Sequence, residues 1–392
     1  SYCANLGWRD IPITHLFEVL TGKHTEAAND ANCAAWGEYK YGCCKGMRNV
    51  ILITLGTGVG SGIILEGRLF GGIATAGGEA GHMIIVKDGL QCNCGLRGCW
   101  ERYASATALI EQTKAAIEGA PDSVLASVAK KSGKITARTA FAALEKGDPV
   151  ARKVVDDYID YIVTGLINLG NIFHPNAFVI GGGVSNEGAP LIAPLEDKLN
   201  AGLIASAHNP RVRVLQAALG NKAGMMGAAA LANELGMTVH GGFSLNVTNS
   251  AAIEWYAAFG LADTELSFEL ALSAAAALGG ELPRGLVLYG RLPLMLTRNC
   301  PAANSAKGCL HCTAAPELTD RKGVHFPVQC YGACSEVLNS VPLWMADRLA
   351  EVKQMDFGVL RFTTETREEQ QSILEAYLHA DGTPPAQGTF TR

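Results

Sequence analysis

The sequence predicts an α/β fold, and three observations carry the prediction. Short apolar runs rich in β-branched residues, residues 49–55 and 177–180, alternate with longer stretches of helical period such as residues 154–173 and 224–232. Both apolar runs end in glycines, Gly56-Thr-Gly-Val-Gly-Ser-Gly62 and Gly181-Gly-Gly-Val-Ser185, as strands do where the backbone turns tightly or approaches another group. At Leu235-Gly-Met-Thr-Val239 the composition shifts and strand and helix patterns restart, so residues 1–236 and 237–392 read as two domains.

With 392 residues, 48 % hydrophobic content and a formal charge of -5, both parts are able to bury real cores. The mild acidity and the lack of long Lys/Arg blocks argue against a nucleic-acid partner. No apolar run reaches transmembrane length, so no membrane partner is expected. Twelve cysteines are too sparse for a disulfide scaffold, and a reducing cytoplasm suits them best. The chain starts at Ser1 rather than Met, which leads us to expect that its true beginning is absent.

Taken in order, the first informative element is Glu26-Ala-Ala-Asn-Asp-Ala-Asn32, where Asn29 and Asp30 open an alanine-rich helix. They read either as capping residues or as functional groups, Asp30 a general base for a substrate hydroxyl and Asn29 its orienting partner. The run 49–55 then gives a strand, residues 56–62 a glycine turn and residues 63–65 a second strand. Backbone N–H groups at Gly56, Thr57, Gly58 and Gly60 suit an anion, with hydroxyls at Thr57 and Ser61 as further donors. A plain hairpin with a loose turn is the alternative.

Residues 82–99 supply one imidazole, His82, and three thiols, Cys92, Cys94 and Cys99. This is a complete tetrahedral zinc set with no open position, so the zinc is expected to be structural. Disulfides or scattered core thiols are the alternative. Residues 154–173 then form a helix that stops at His174-Pro175. Residues 177–180 form a buried strand whose glycines Gly181, Gly182 and Gly183 bring a second backbone loop close to something flat or anionic.

Beyond residue 236, strands at 243–248, 264–267 and 285–289 alternate with helices at 250–259 and 268–278, at lengths that suggest half of a β/α barrel. Cys300, Cys309, Cys312, Cys330 and Cys334 follow, and read as a metal or iron–sulfur site or as incidental thiols. His311 reads as a bystander.

The runs Asn5-Leu-Gly-Trp8, Asn29-Asp-Ala-Asn32, Leu55-Gly-Thr-Gly-Val-Gly60, Gly78-Glu-Ala-Gly-His82, Cys92-x-Cys-Gly-x-x-Gly-Cys99 and Gly181-Gly-Gly-Val-Ser185 together resemble the ROK family, and within it the bacterial glucokinases. The resemblance covers residues 1 to about 235. It implies a two-lobed actin-like ATPase (ribonuclease H-like) fold, Mg-ATP as cosubstrate, a hexose as substrate and a homodimer. It also implies Asp30 as base, with Asn29, Glu79, His82 and Glu101 as ligands of the sugar hydroxyls. One ring nitrogen of His82 is then expected on zinc and the other on the sugar. The family's opening strand and Asp-x-Gly-Gly-Thr type phosphate loop do not occur in this sequence, so the kinase reaction is expected to be weak or absent.

Residues 238–392 resemble the collagenase-like peptidase family U32 in Tyr289-Gly-Arg-Leu-Pro-Leu-Met-Leu-Thr-Arg-Asn-Cys-Pro301, Leu318-Thr-Asp-Arg-Lys-Gly323, Phe326-Pro-Val-x-Cys330 and Glu336-x-x-Asn-Ser-x-Pro-Leu343. That resemblance implies a partial barrel with a 4Fe-4S cluster on Cys300, Cys309, Cys312 and Cys330. No Ser-His-Asp, Cys-His or His-Glu-x-x-His arrangement supports proteolysis independently. The leading expectation is ATP-dependent phosphorylation of glucose. An iron–sulfur protein carrying a kinase remnant and a non-catalytic sugar-binding remnant are the other two.

Overall fold

A computed structural model describes residues 11–73, 76–297, 300–304, 316–330 and 334–379. The expected motif at residues 5–8, and Cys309, His311 and Cys312, lie outside the described residues. The chain divides into two compact units, 1–236 and 237–392.

The first unit is built on a five-stranded mixed sheet. Its strands are β1 (Val50–Leu55), β2 (Val59–Leu65), β3 (Arg68–Leu69), β4 (Ala177–Gly181) and β5 (Arg213–Gln216), in the order β3-β2-β1-β4-β5. β1 runs antiparallel to β2 and parallel to β4, and β4 runs parallel to β5. The central strands are apolar throughout because both faces are covered. Ile51, Ile53 and Leu55 enter one core together with Phe178 and Ile180, whereas Val50 and Leu52 enter the opposite core with Val179.

Nine helices accompany this sheet among the described residues: α1 (Ile13–Thr21), α2 (Asp30–Tyr41), α3 (Glu101–Ala104), α4 (Ala106–Gly119), α5 (Val124–Ser132), α6 (Ala137–Leu144), α7 (Pro149–Phe173), α8 (Ala189–Gly202) and α9 (Ala223–Glu234). α7 starts at Pro149 behind the Asp148 cap and stops where His174 turns left-handed ahead of Pro175. It fills the larger core from Ala151 to Leu169.

The other face carries α2 and α9, which cross backbone to backbone. A Cβ on Gly227 would stand 1.7 Å from the Cys33 carbonyl oxygen, and one on Gly37 would stand 2.3 Å from that of Ala223. The same closeness explains part of the glycine run expected to form a turn. Only Gly56, Thr57 and Gly58 connect the strands, and Gly60 and Gly62 lie inside β2. A Cβ on Gly62 would meet Ala35 Cβ at 2.4 Å, and one on Gly60 would meet Thr54 Oγ1 at 2.6 Å and Ala31 Cβ at 3.1 Å. These glycines let α2 lie down on the sheet.

The second unit holds strands β6 (His240–Gly241), β7 (Asp263–Glu265), β8 (Arg284–Gly290), β9 (Pro293–Thr297), β10 (Glu317–Thr319), β11 (His325–Cys330), β12 (Ser335–Leu338), β13 (Leu343–Trp344) and β14 (Phe357–Arg361). β6, β7, β8 and β14 pair in parallel, with α10 (Ser250–Phe259) between β6 and β7 and α11 (Leu272–Ala276) between β7 and β8. β13 joins β8 antiparallel, and β10-β11-β12-β9 form a separate antiparallel sheet. The last helix is α12 (Arg367–His379).

The strand expected over 243–248 is not one. Phe243–Leu245 is a 3-10 turn, Asn246 takes a left-handed conformation at φ 52°, and only Val247 makes an isolated parallel bridge, to Leu266. A left-handed residue reverses the chain where a strand needs it extended. The helix expected over 268–278 is likewise confined to α11.

Candidate functional site

The site forms at the start of β2, where three consecutive residues touch the three elements that bear the expected functional groups. A Cβ on Gly58 would lie 2.5 Å from Glu101 Oε2, Val59 offers its carbonyl against Gly81 of the 3-10 turn Ala80–His82, and Gly60 faces Ala31 in the first turn of α2. Glu101, His82 and Asp30 are therefore carried to one edge of the sheet. It is the edge where parallel β1 and β4 end, the place at which open α/β sheets bind ligands.

Asn29 is the N-cap of α2, its Oδ1 accepting from the N–H groups of Ala31 at 2.9 Å and Asn32 at 3.1 Å. The capping reading is thus correct for its oxygen, while its amide N–H groups remain the donors it offers elsewhere. Asp30 Oδ1 accepts from Ala31 N–H at 2.8 Å, which leaves Oδ2 as the second acceptor on an exposed side chain. Glu79 is also exposed.

Two glycine loops meet beside this edge. Gly182, at φ 81°, lies so close to the end of β1 that a Cβ there would come within 2.5 Å of the Leu55 carbonyl oxygen. No residue other than glycine fits that contact. The loops of Gly56-Thr57-Gly58 and Gly181-Gly182-Gly183 are thereby adjacent. The Gly56 carbonyl accepts from Ala106 N–H at 2.9 Å and the Thr57 carbonyl from the Thr107 hydroxyl at 2.8 Å, which ties the turn to α4.

Ser61 does not face this turn. Its hydroxyl donates to the Gly78 carbonyl and accepts from Ala80 N–H at 3.1 Å, so it holds the loop ahead of His82 and is lost as the anion donor expected from sequence.

A residue that sequence reasoning missed is Glu38, fully buried on α2. Its carboxylate accepts from Leu219 N–H at 2.7 Å and from Cys43 N–H at 3.1 Å. It thus staples the loop that follows β5 to the helix that carries Asp30. A charged residue among alanines and a tryptophan in an otherwise small-residue helix was the signal available.

The donor atoms of His82, Cys92, Cys94 and Cys99 all lie within 4.8 Å of one another. Cys94 Sγ stands 3.6 Å from Cys99 Sγ, and Cys92 Sγ stands 3.7 Å from His82 Nδ1. Tetrahedral zinc with Zn–S near 2.3 Å and Zn–N near 2.0 Å requires donor separations of about 3.5–3.8 Å, which these two pairs meet, and the chemistry of one imidazole with three thiols suits the ion. The left-handed glycines Gly95 (φ 95°) and Gly98 (φ 81°) shape the knot. A Cβ on Gly98 would come within 1.7 Å of the Val86 carbonyl. Burial pushes the Cys92 thiol up, and its hydrogen bond to Glu101 Oε1, 3.0 Å away, adds to this. Zinc there would hold three thiolates and fix the His82 ring through Nδ1, leaving Nε2 for another partner.

The knot is anchored by Trp100. Its indole is fully buried, donates from Nε1 to the Tyr161 carbonyl at 2.8 Å and packs on Gly165 of α7, where a Cβ would meet the ring at 2.1 Å. Among the described residues no second group of this kind occurs, and Cys300 and Cys330 are each half-buried.

The family model described as "ROK family" matches residues 1–235. The chain belongs to the ROK family. A glucokinase of Streptomyces coelicolor is 40 % identical over 236 residues, which is 59 % of this chain and 74 % of that one. The crystal structure of a ROK family glucokinase from Streptomyces griseus in complex with glucose and AMPPNP has a TM-score of 0.55 at 39 % identity, and the match covers 59 % of this chain and 76 % of that one. A xylose repressor of Bacillus subtilis is 26 % identical over 230 residues, 59 % of this chain and 56 % of its own length. The family thus includes proteins named as enzymes and as repressors, so family membership by itself does not fix the activity.

Proposed function

We propose that this ROK-family chain acts on a hexose, with glucose as the substrate and ATP as the phosphoryl donor. The observation that carries the reading is the convergence of Asp30, His82 and Glu101 on the Gly58–Gly60 edge of β2, beside two adjacent glycine loops. The glucokinase complex with glucose and AMPPNP supports the same pair of ligands.

In this reading Asp30 Oδ2 accepts the proton of the attacking sugar hydroxyl while Asn29 donates from its amide to a neighbouring hydroxyl. Glu79, His82 Nε2 and Glu101 bind the remaining hydroxyls. Phosphoryl transfer needs positioning, a base and electrostatic support, which the backbone N–H groups of Gly56, Thr57, Gly58, Gly60 and Gly181–Gly183 supply together with Mg2+ on the nucleotide. Zinc supplies no step; it keeps His82 and, through the knot, Glu101 in place.

A second reading, a sugar sensor without turnover, is favoured by the likeness to the xylose repressor. A coupled ATP-to-ADP assay with glucose, run beside calorimetric titration of glucose, separates the two. Glucose-dependent ADP release supports the kinase. Glucose binding without ADP release supports the sensor, and the absence of both refutes the sugar site.

A further inference from the structure

We propose that a cavity behind the zinc knot, outside the sugar and nucleotide residues, is a binding site for a small hydroxylated aromatic carboxylate. The cavity encloses about 200 Å³ among α3, α4, α7 and the Leu90 loop, with Tyr103, Tyr161, Ala108 and Leu90 supplying apolar walls. That volume is below the roughly 300–1,000 Å³ of pockets for drug-sized ligands, so the occupant is a single ring with small substituents. Tyr103 and Tyr161 pack on each other with ring centroids 4.9 Å apart, inclined at 37°, and together form an aromatic part of the wall.

The polar groups of the wall define the rest. Eight buried side-chain polar atoms lack a hydrogen-bond partner among the described residues, and two of them, Arg102 Nε and Gln112 Oε1, belong to residues lining this cavity. Gln112 is held by its Nε2 donating to the Tyr103 carbonyl at 2.9 Å, which fixes its oxygen as an acceptor that needs a donor. Arg102 makes no salt bridge among the described residues, and the one carboxylate in the lining, Glu111, is paired with Lys114 at 2.7 Å. A half-buried guanidinium without a counter-charge favours an anion, and a carboxylate matches its fork of donors. A ligand hydroxyl would satisfy Gln112.

The site has contact with both halves of the candidate active region without sharing a residue with them. Tyr103 accepts from Leu90 N–H at 2.7 Å at the edge of the knot, and Thr107 is the residue that bonds the Thr57 carbonyl.

The test uses 4-hydroxybenzoate as the probe on the whole zinc-loaded protein, by calorimetry and thermal shift, with 4-hydroxybenzyl alcohol as its uncharged counterpart. We expect saturable binding with a dissociation constant of about 1 mM or tighter, weakened roughly tenfold for the alcohol. Arg102→Gln is expected to weaken 4-hydroxybenzoate to the level of the alcohol, and Ala108→Leu, which fills the cavity, to remove binding of both. Zinc content and melting temperature of each variant report whether it is folded. Absence of saturable binding, or binding that is unchanged in both folded variants, overturns the proposal.

Discussion

Glu101 stands with one carboxylate oxygen 3.0 Å from Cys92 Sγ and the other against Gly58, so a single side chain spans the space between the thiol knot and the glycine turn. In the proposed reading, zinc would take Cys92 as a thiolate, its proton leaving to solvent, and Glu101 would lose its thiol donor and be free to accept from a sugar hydroxyl. In that reading metal state and sugar recognition would be coupled at this one residue.

Cys94→Ser is accordingly expected to lower zinc content and melting temperature together. Metal analysis and calorimetry on one sample check this, and a variant that keeps a full equivalent of zinc refutes the ligand set. Glucose affinity is expected to fall with the zinc, because His82 and Glu101 lose their fixed positions.

Asp30→Asn is expected to abolish glucose-dependent ADP release, a loss of at least about 100-fold, while glucose still binds within a few-fold of the parent protein. Asparagine keeps the Ala31 hydrogen bond at the helix start and removes only the proton acceptor. Unchanged turnover would sink Asp30 as the base.

Gly227→Ala sets two effects against each other. Alanine favours an exposed helix by about 1 kcal/mol over glycine, but here its Cβ would stand 1.7 Å from the Cys33 carbonyl. Overpacking costs about 1–3 kcal/mol or more, so the variant is expected to be destabilised. Chemical denaturation measures the difference, and a stability equal to or above that of the parent would show that α2 and α9 separate freely.

Glu38→Ala removes the acceptor of the N–H groups of Leu219 and Cys43, two half-buried residues, at about 1–3 kcal/mol in all. A fall in stability of that size is expected on denaturation, with Glu38→Gln recovering part of it through the oxygen that faces Leu219. Equal losses in the two variants would show that the charge rather than the hydrogen bond matters.

Burial holds the Glu187 carboxyl above its ordinary value of 4.5, opposed in part by Arg138 and reinforced by Glu145. The folded protein therefore keeps this proton to a higher pH than the unfolded chain does. Its contribution to stability is complete below 4.5 and is lost as pH rises through the raised folded value. Glu187→Gln is expected to raise the melting temperature more near pH 7 than near pH 4. An identical change at both would contradict the shift.

β1, β4, α7 and α9 of the first unit were legible because their signals are local, whereas α4, α5, α6, α8 and β5 were not read. Residues 50–53 are apolar without alternation, as a strand covered on both faces must be, and His174-Pro175 stops α7 where the pattern stops. The clustering of His82, Cys92, Cys94 and Cys99 was legible because one imidazole and three thiols lie close in sequence. What sequence could not reveal was which neighbour each glycine accommodates. Gly56 and Gly60 look alike in the run, yet one turns the chain and the other admits Ala31 of a helix. Ser61 was misread for the same reason, since its partners Gly78 and Ala80 come from a distant loop. In the second unit, α10 matches residues 250–259 because Asn249 caps it and Gly260 ends it, whereas the left-handed turn at Asn246 had no local signal strong enough to outweigh the β-like run around it.

The indole that pins the knot to α7 also gives the protein an optical signal of its own. Trp100 follows Cys99 directly, is sealed from solvent and hydrogen-bonds a carbonyl on the long helix. Loosening of the thiol loop must carry that ring toward water, so in a variant whose other four tryptophans are replaced by phenylalanine the colour of its emission reports on the knot in real time, without a dye or a label.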